Sequence, residues 1–237
     1  MSQLCLWEQI KEDFSQPINN DPAFNSKVEL FFNYPGVWAL VNYRVAHALY
    51  TKGFKVLARV IMGISQMFTN IDIHPGCTIG RRIFLDHAFG VVIGETAIVG
   101  DDVLIYQGVT LGGVSLERGV KRHPTIGNKT VIGSGAKILG DIQIGENCRI
   151  GSNSVVVKSI PDDSTAVGIP ARIIEKGRDK NPMAHNKIPD INKELFIYMF
   201  KRLKILEEII AKDNCDAKIK DDELEQIYKC YLESVKE

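Results

Sequence analysis

Isoleucine, leucine or valine returns every six residues through the middle of this 237-residue chain. Ile73, Ile79, Leu85, Val91, Val103 and Val109 share one phase, with Ala97 as the small exception. Ile126, Ile132, Ile138, Ile144, Ile150 and Val156 share a second. Glycine often follows, as in Ile79-Gly80, Ile126-Gly127, Ile132-Gly133, Ile144-Gly145 and Ile150-Gly151, while Thr130, Ala136, Cys148 and Ser154 place a small side chain two residues ahead. An amphipathic helix needs apolar spacing near 3.6, and a half-buried strand needs strict alternation. A step of six fits short strands joined by turns and stacked as a solenoid. No rung of such a solenoid can bury its apolar side chains alone, so neighbours build the core together.

The rest of the composition excludes several classes. Lys+Arg and Asp+Glu are each 29, so no net field points to nucleic acid or to an acidic surface. Residues 1–13 mix polar and apolar side chains and lack the apolar run of a signal peptide. The longest apolar stretch, 56–68, is broken by Arg59, Ser65 and Gln66 and is too short to span a bilayer, so no membrane role is expected. Cys5, Cys77, Cys148, Cys215 and Cys230 form no CxxC and no metal-ligand spacing, which fits reduced thiols in a cytoplasmic protein. Cys77 and Cys148 fall at small-residue positions of the repeat, where packing is the expected role.

Three regions follow along the chain. Residues 1–70 read as an N-terminal helical domain: Leu4, Trp7, Ile10, Lys11 and Phe14 give a first amphipathic helix, which Pro17 ends. Asn20-Asp21-Pro22 predicts a turn and a new helix, with Asp21 as N-cap and Pro22 at the first helical position. After Pro35-Gly36, residues 37–50 and 54–68 carry apolar residues at three- and four-residue steps. The repeat occupies 71–175. It is interrupted once: Val109 and Ile126 lie 17 residues apart in place of six, so eleven residues, 115–125, are inserted as a charged loop. Residues 165–172 read as the last rung. Residues 176–237 form a polar linker and a C-terminal helical extension, in which Phe196, Met199, Leu203, Leu206 and Ile210, then Leu224, Tyr228, Tyr231 and Val235, follow helical steps. Those seams fit docking on the body and a subunit contact equally well.

The polar residues that stand out within the repeat are Asp72, His74, Asp86, His87, Glu95, Thr96, Arg122 and His123. About eighteen residues make one coil of such a solenoid, so Asp72 and His87, 15 apart, belong to neighbouring rungs. A corner that joins them makes a base–orienter pair, in which histidine takes a proton and aspartate fixes its tautomer. The inserted loop supplies a cation, Arg122, and a second imidazole, His123. Asp101, Asp102 and Asp141 read as turn residues, and His74, ahead of Pro75, as a turn or packing residue. A metal site needs three converging ligands; His87 and His123 offer two, and none is expected.

DIHPGCTIGRRIFLDHAFGVVIGETAIVG (72–100), VTLGG (109–113), RHPTIG (122–127), IGSGAKILGDIQIG (132–145) and VGIPAR (167–172), together with Asp21-Pro22-Ala23 and Val41-Asn42-Tyr43-Arg44, resemble the serine O-acetyltransferases of the hexapeptide-repeat acyltransferase superfamily. The likeness covers roughly residues 5–175. The repeat alone is shared with acetyltransferases for other hydroxyl acceptors such as sugars; LDHAFG, GET, VTLGG and RHP in this order are more specific. The resemblance implies an α+β fold, a left-handed parallel β-helix between the two helical regions. It implies transfer of the acetyl group of acetyl-CoA to the hydroxyl of L-serine, the first step of cysteine biosynthesis, without a metal.

The resemblance also implies roles. His87 is the general base and Asp72 its orienting carboxylate. Asp21 and Asp86 face the ammonium of serine, and Arg122 and His123 its carboxylate. Gly113, Ser134, Ala136, Gly151 and Lys158 take coenzyme A along the outside of the solenoid, and amides near Gly112 and Gly113 meet the oxyanion. Ser134 stands where alanine is expected. L-cysteine is the expected feedback inhibitor, and the assembly a homotrimer or a dimer of trimers, with the short N-terminal region favouring the simple trimer. O-acetylserine sulfhydrylase is a further partner implied, although this chain ends Ser-Val-Lys-Glu where long-form members often end in isoleucine.

Overall fold

The structure is a computed structural model that describes residues 5–176 and 191–213. Four helices come first: α1 (Leu6–Asn20), α2 (Lys27–Phe32), α3 (Pro35–Thr51) and α4 (Lys55–Thr69). α1 does not stop at Pro17 but runs through it. Proline withholds a backbone donor inside a helix; here the side-chain amides of Gln16 and Asn20 add donors, Gln16 Nε2 to Glu12 O at 3.2 Å and Asn20 Nδ2 to Gln16 O at 3.1 Å. Packing supplies the rest. Arg44 on α3 reaches the buried Asp13 of α1 at 3.0 Å and donates to Ile79 O at 2.7 Å and Gly80 O at 2.6 Å. Burial holds the Asp13 carboxyl above its ordinary range even beside this guanidinium. Tyr43 bonds the same rung, donating to Cys77 O at 2.7 Å and accepting from the Ile79 N–H at 3.1 Å. One face of α3 thus seats the helices on the first coil.

The expected N-cap at Asp21 is not formed. Asp21 closes α1: its N–H donates to Pro17 O at 3.0 Å, and its carboxylate accepts the Ala23 N–H at 2.8 Å and the Tyr34 hydroxyl at 2.6 Å. A carboxylate that bonds the amide two residues on makes its own turn, so α2 starts later, capped by Ser26.

Fourteen two- to five-residue strands and a closing one then wind a three-sided left-handed parallel β-helix. The first sheet holds β1 (Asp72–Ile73), β4 (Val92–Ile93), β7 (Thr110–Gly112), β10 (Lys137–Leu139) and β13 (Val155–Val156). The second holds β2 (Thr78–Ile79), β5 (Ile98–Val99), β8 (Thr125–Ile126) and β11 (Gln143–Ile144). The third holds β3 (Phe84–Leu85), β6 (Leu104–Ile105), β9 (Val131–Ile132), β12 (Arg149–Ile150), β14 (Ser164–Gly168) and β15 (Ala171–Lys176). Residues 165–172 therefore hold more than a rung: β14 is the last parallel strand, and β15 returns antiparallel to it. Ile73, Ile93, Leu111, Ile138 and Val156 stack down one inner face, each 0–1% exposed. Burying each such side chain is worth about 1.5–3 kcal/mol. Cys77 and Cys148 are buried within this core, as packing requires, and burial pushes the Cys77 thiol up to about 12.

The register corrects the sequence phase in two places. Ile73 pairs with Ile93 and Leu85 with Ile105, 20 residues on, whereas Ile126 pairs with Ile144 at the ordinary 18. The first coil thus carries two extra residues between Leu85 and Ile93. Val91, Ala97, Val103 and Val109 are buried corner residues and not the strand positions that continue Leu85. Val99 pairs with Ile126, 27 residues on, so the later insertion is nine residues and not eleven, and Thr125 belongs to β8. Both departures from eighteen fall at corners, where extra chain leaves the ladders intact.

α5 (Ile191–Asp213) forms a separate unit. Phe196, Met199, Leu203 and Leu206 on it are 45–50% exposed; the second seam, Leu224 to Val235, and the linker 177–189 lie outside the described residues. Among the described residues no helix is long and apolar enough to cross a membrane.

Candidate active site

The two extra residues of the first coil form the corner Asp86–Gly90 between the third and first sheets. His87 and Ala88 sit there at φ 55° and 59°, left-handed conformations that cost a non-glycine residue about 1–3 kcal/mol each. The backbone turns outward and leaves the His87 side chain 74% exposed. Asp21, from the end of α1, and Tyr34, ahead of α3, come to the same corner. With Asp86 and His87 they line a cavity of about 310 Å³. Asp86 Oδ1 lies 4.0 Å from His87 Nε2. Burial raises the Asp86 carboxyl, His87 lowers it and the Asp21 charge raises it further. Burial and the bond to Asp21 raise the Tyr34 hydroxyl well above the usual phenol range. The cavity thus presents three carboxylates, Asp21, Glu29 and Asp86, and an exposed imidazole, a set that invites an ammonium group beside a proton acceptor.

Among the described residues no hydrogen bond or ion pair joins Asp72 to His87 directly. β1 starts with Asp72, in register with Val92, and its N–H donates to Val91 O at 2.9 Å, at the edge of the first sheet that also carries the His87 corner.

A second polar cluster occupies the other edge of the first sheet, where it meets the second. Arg122 donates to Glu95 Oε2 at 2.9 Å and to Glu117 O at 3.2 Å. Thr96 Oγ1 accepts the N–H groups of Arg122 at 3.0 Å and His123 at 3.1 Å. His123 is 8% exposed as a residue, and its ring stands over Gly94 and Gly113, with Nδ1 against Thr96. Burial, then the charges of Arg122 and Lys121, push this imidazole below its usual value. His74 joins the same edge as the turn residue expected of it: its Nδ1 accepts the Gly76 N–H at 3.0 Å, its ring packs against Tyr50, and burial lowers its pKa too.

The cofactor-type positions divide between the same two edges. Ser134, Ala136 and Gly151 lie at the edge that carries His87, Ser134 bonding Ser152 at 3.2 Å. Ala136 and Gly151 are buried, so they offer smallness and not a reaching side chain. Gly113 and the exposed Lys158 lie at the edge of His123. Sequence reasoning missed Tyr34, which carries no motif. It quoted Gly94, Glu95 and Thr96 without a role, because only the fold brings them to Arg122 and His123. Among the described residues no group of three His, Cys, Asp or Glu stands where it could hold a metal ion.

A three-sided β-helix with an exposed histidine at one corner defines a hexapeptide-repeat transferase, and the bacterial transferase hexapeptide (six repeats) family matches residues 123–158. The serine acetyltransferase of Synechococcus elongatus is 47% identical over 204 residues, covering 86% of this chain and 83% of its own, and that of Staphylococcus xylosus 46% identical over 217 residues, covering 91% and 96%. The solved serine acetyltransferase of Vibrio cholerae superposes with a TM-score of 0.71 at 45% identity, over 75% of this chain and 68% of that one. Another in complex with cysteine gives 0.71 at 38% identity, over 75% and 68%, and one in complex with CoA gives 0.65 at 38%, over 71% and 69%. The chain belongs to the serine acetyltransferase family.

Proposed function

We propose that this chain, in the cytoplasm, transfers the acetyl group of acetyl-CoA to the hydroxyl of L-serine, giving O-acetyl-L-serine and CoA at the start of cysteine synthesis. The observation that carries the reading is the cavity in which Asp21 and Asp86 meet an exposed His87. The serine ammonium enters between these two carboxylates and offsets the burial, and the smaller effect of the Asp21 charge, that raise Asp86. His87 takes the hydroxyl proton as Oγ attacks the thioester carbonyl. The tetrahedral oxyanion collapses, the C–S bond breaks, and the CoA sulfur leaves with the proton returned by His87. Asp72 orients that imidazole in the assembled enzyme.

Arg122 and His123 take the serine carboxylate, the guanidinium through its paired donors. They stand at a different edge from His87, so a second copy completes the site: the His87 edge of one chain faces the His123 edge of the next around a homotrimer. The same contact runs coenzyme A between the Ser134, Ala136, Gly151 edge and the Gly113, Lys158 edge. Support comes from the apolar side chains exposed near it, Val56, Val60, Ile64, Met67 and Phe68 on α4 and Phe89 at the His87 corner, each more than half exposed. L-cysteine keeps both charged groups of serine and competes for the site. The test is thiol release from acetyl-CoA against L-serine, L-threonine and simple sugars, with the mass in solution measured alongside. Serine should dominate; equal turnover of a sugar would overturn the acceptor assignment.

A further inference from the structure

We propose that Thr96 is a positioning residue that fixes His123 as its Nε2–H tautomer, so that the imidazole meets the acceptor as a neutral hydrogen-bond donor. Two contacts force the assignment. The Thr96 backbone N–H lies 3.2 Å from His123 Nδ1. An amide N–H can only donate, so Nδ1 carries the lone pair. The Thr96 hydroxyl oxygen lies 2.9 Å from the same Nδ1. That oxygen already accepts the backbone N–H groups of Arg122 and His123 at 3.0 and 3.1 Å. Its lone pairs are filled, so its own proton points to Nδ1. Two donors therefore converge on one ring nitrogen, and the single proton of the neutral ring goes to Nε2, the atom nearest Gly113.

A protonated ring would turn Nδ1–H against both donors. Burial, Arg122 and Lys121 already depress the imidazole, and donors aimed at Nδ1 favour the neutral ring by hydrogen bonding to it. The chemistry left facing the site is one N–H beside the Arg122 guanidinium, a pair suited to a carboxylate. Thr96 touches no substrate itself; it acts through His123 and through the backbone of the loop that carries Arg122.

The proposal rests on the reading that His123 faces the serine carboxylate, but its first readout is independent of that. In protein carrying nitrogen-labelled histidine, with His123→Gln to identify the resonances, wild-type His123 should show an unprotonated Nδ1 and a protonated Nε2 without substrate. Thr96→Val removes the hydroxyl at constant shape and leaves only the longer backbone N–H contact of 3.2 Å on Nδ1, so the ring should gain a measurable minor population of the other tautomer. Its KM for serine should rise on the order of tenfold while the KM for acetyl-CoA stays put, the scale of one hydrogen bond to a charged group. Thr96→Ser should restore the nitrogen pattern, and Thr96→Ala carries the test if the valine variant does not fold. A tautomer shift in an enzyme that turns out to prefer another acceptor still supports the role of Thr96. A protonated Nδ1 in the wild type, or an unchanged nitrogen pattern in both hydroxyl-free variants, would overturn it.

Discussion

Replacing Gly94 by alanine tests how tightly the second cluster is built. Gly94 has an ordinary φ, so alanine carries no backbone strain there, and its N–H still donates to Leu111 O at 3.1 Å. The added methyl would lie 2.9 Å from His123 Cε1 and closer still to Cδ2 and Nε2. Non-bonded carbons prefer about 3.5–4.0 Å, so the ring must retreat by roughly 1.5 Å. It cannot do so and keep both bonds from Thr96. A misplacement of about 1 Å in a positioning group costs on the order of a hundredfold in rate, so Gly94→Ala should lower kcat/KM for serine by about that factor. Stability should fall by roughly 1–3 kcal/mol as the bonds to Nδ1 are lost. Gly113→Ala is the graded comparison: its added carbon would lie 3.1 Å from His123 Nε2, a clash relieved by a few tenths of an ångström, so its loss should be several-fold at most. Steady-state kinetics by thiol release and a thermal melt measure both. Activity of Gly94→Ala within about threefold of wild type would refute the claim that the ring is held by its neighbours.

His87→Ala should keep the fold and lose about a hundred- to ten-thousandfold in turnover, the usual weight of a general base, with Asp72→Asn losing less; near-wild-type turnover of His87→Ala would remove it from the mechanism. Arg122→Ala should raise the serine KM and weaken inhibition by L-cysteine in parallel, leaving the acetyl-CoA KM in place; inhibition patterns against each substrate check this, and absence of inhibition at millimolar cysteine under reducing conditions would reject a shared site. Stability should fall as pH drops below about 6.5, because His74 and His123 have depressed folded pKa values and the unfolded chain binds those protons first. The stabilisation is complete above the ordinary histidine value and is lost through the depressed ones. Urea titrations across pH 5–7.5 should show this slope, flattened in His123→Gln.

The β-helix was legible because its physics is local: a strand of two residues can bury one apolar side chain on each side of the prism, and only a step of six repeats that three times per coil. The break in the repeat also disclosed the charged loop, and the resemblance carried by LDHAFG, GET, VTLGG and RHP supplied the residues of an amino-acid site. The phase slip at Asp86–Gly90 escaped the sequence because Val91, Ala97, Val103 and Val109 are as buried as the strand positions they precede. Both sets satisfy a pattern of apolar spacing, and only hydrogen-bonded register separates them. Asp21 read as a helix cap because Asp-Pro is a common helix start; the bond from Tyr34, thirteen residues on, decided otherwise.

The site divides along the same line. The residue types singled out His87, Arg122 and His123, while Asp21 and Asp86 received their roles only from the resemblance. Sequence could not tell that two extra residues would enlarge the corner that carries His87, or that Thr96 would meet His123 from 27 residues away. Those are facts about which edge of a prism a residue occupies. An edge is set by the summed lengths of every coil above it, so two extra residues in one corner and nine in another move side chains that no local pattern connects.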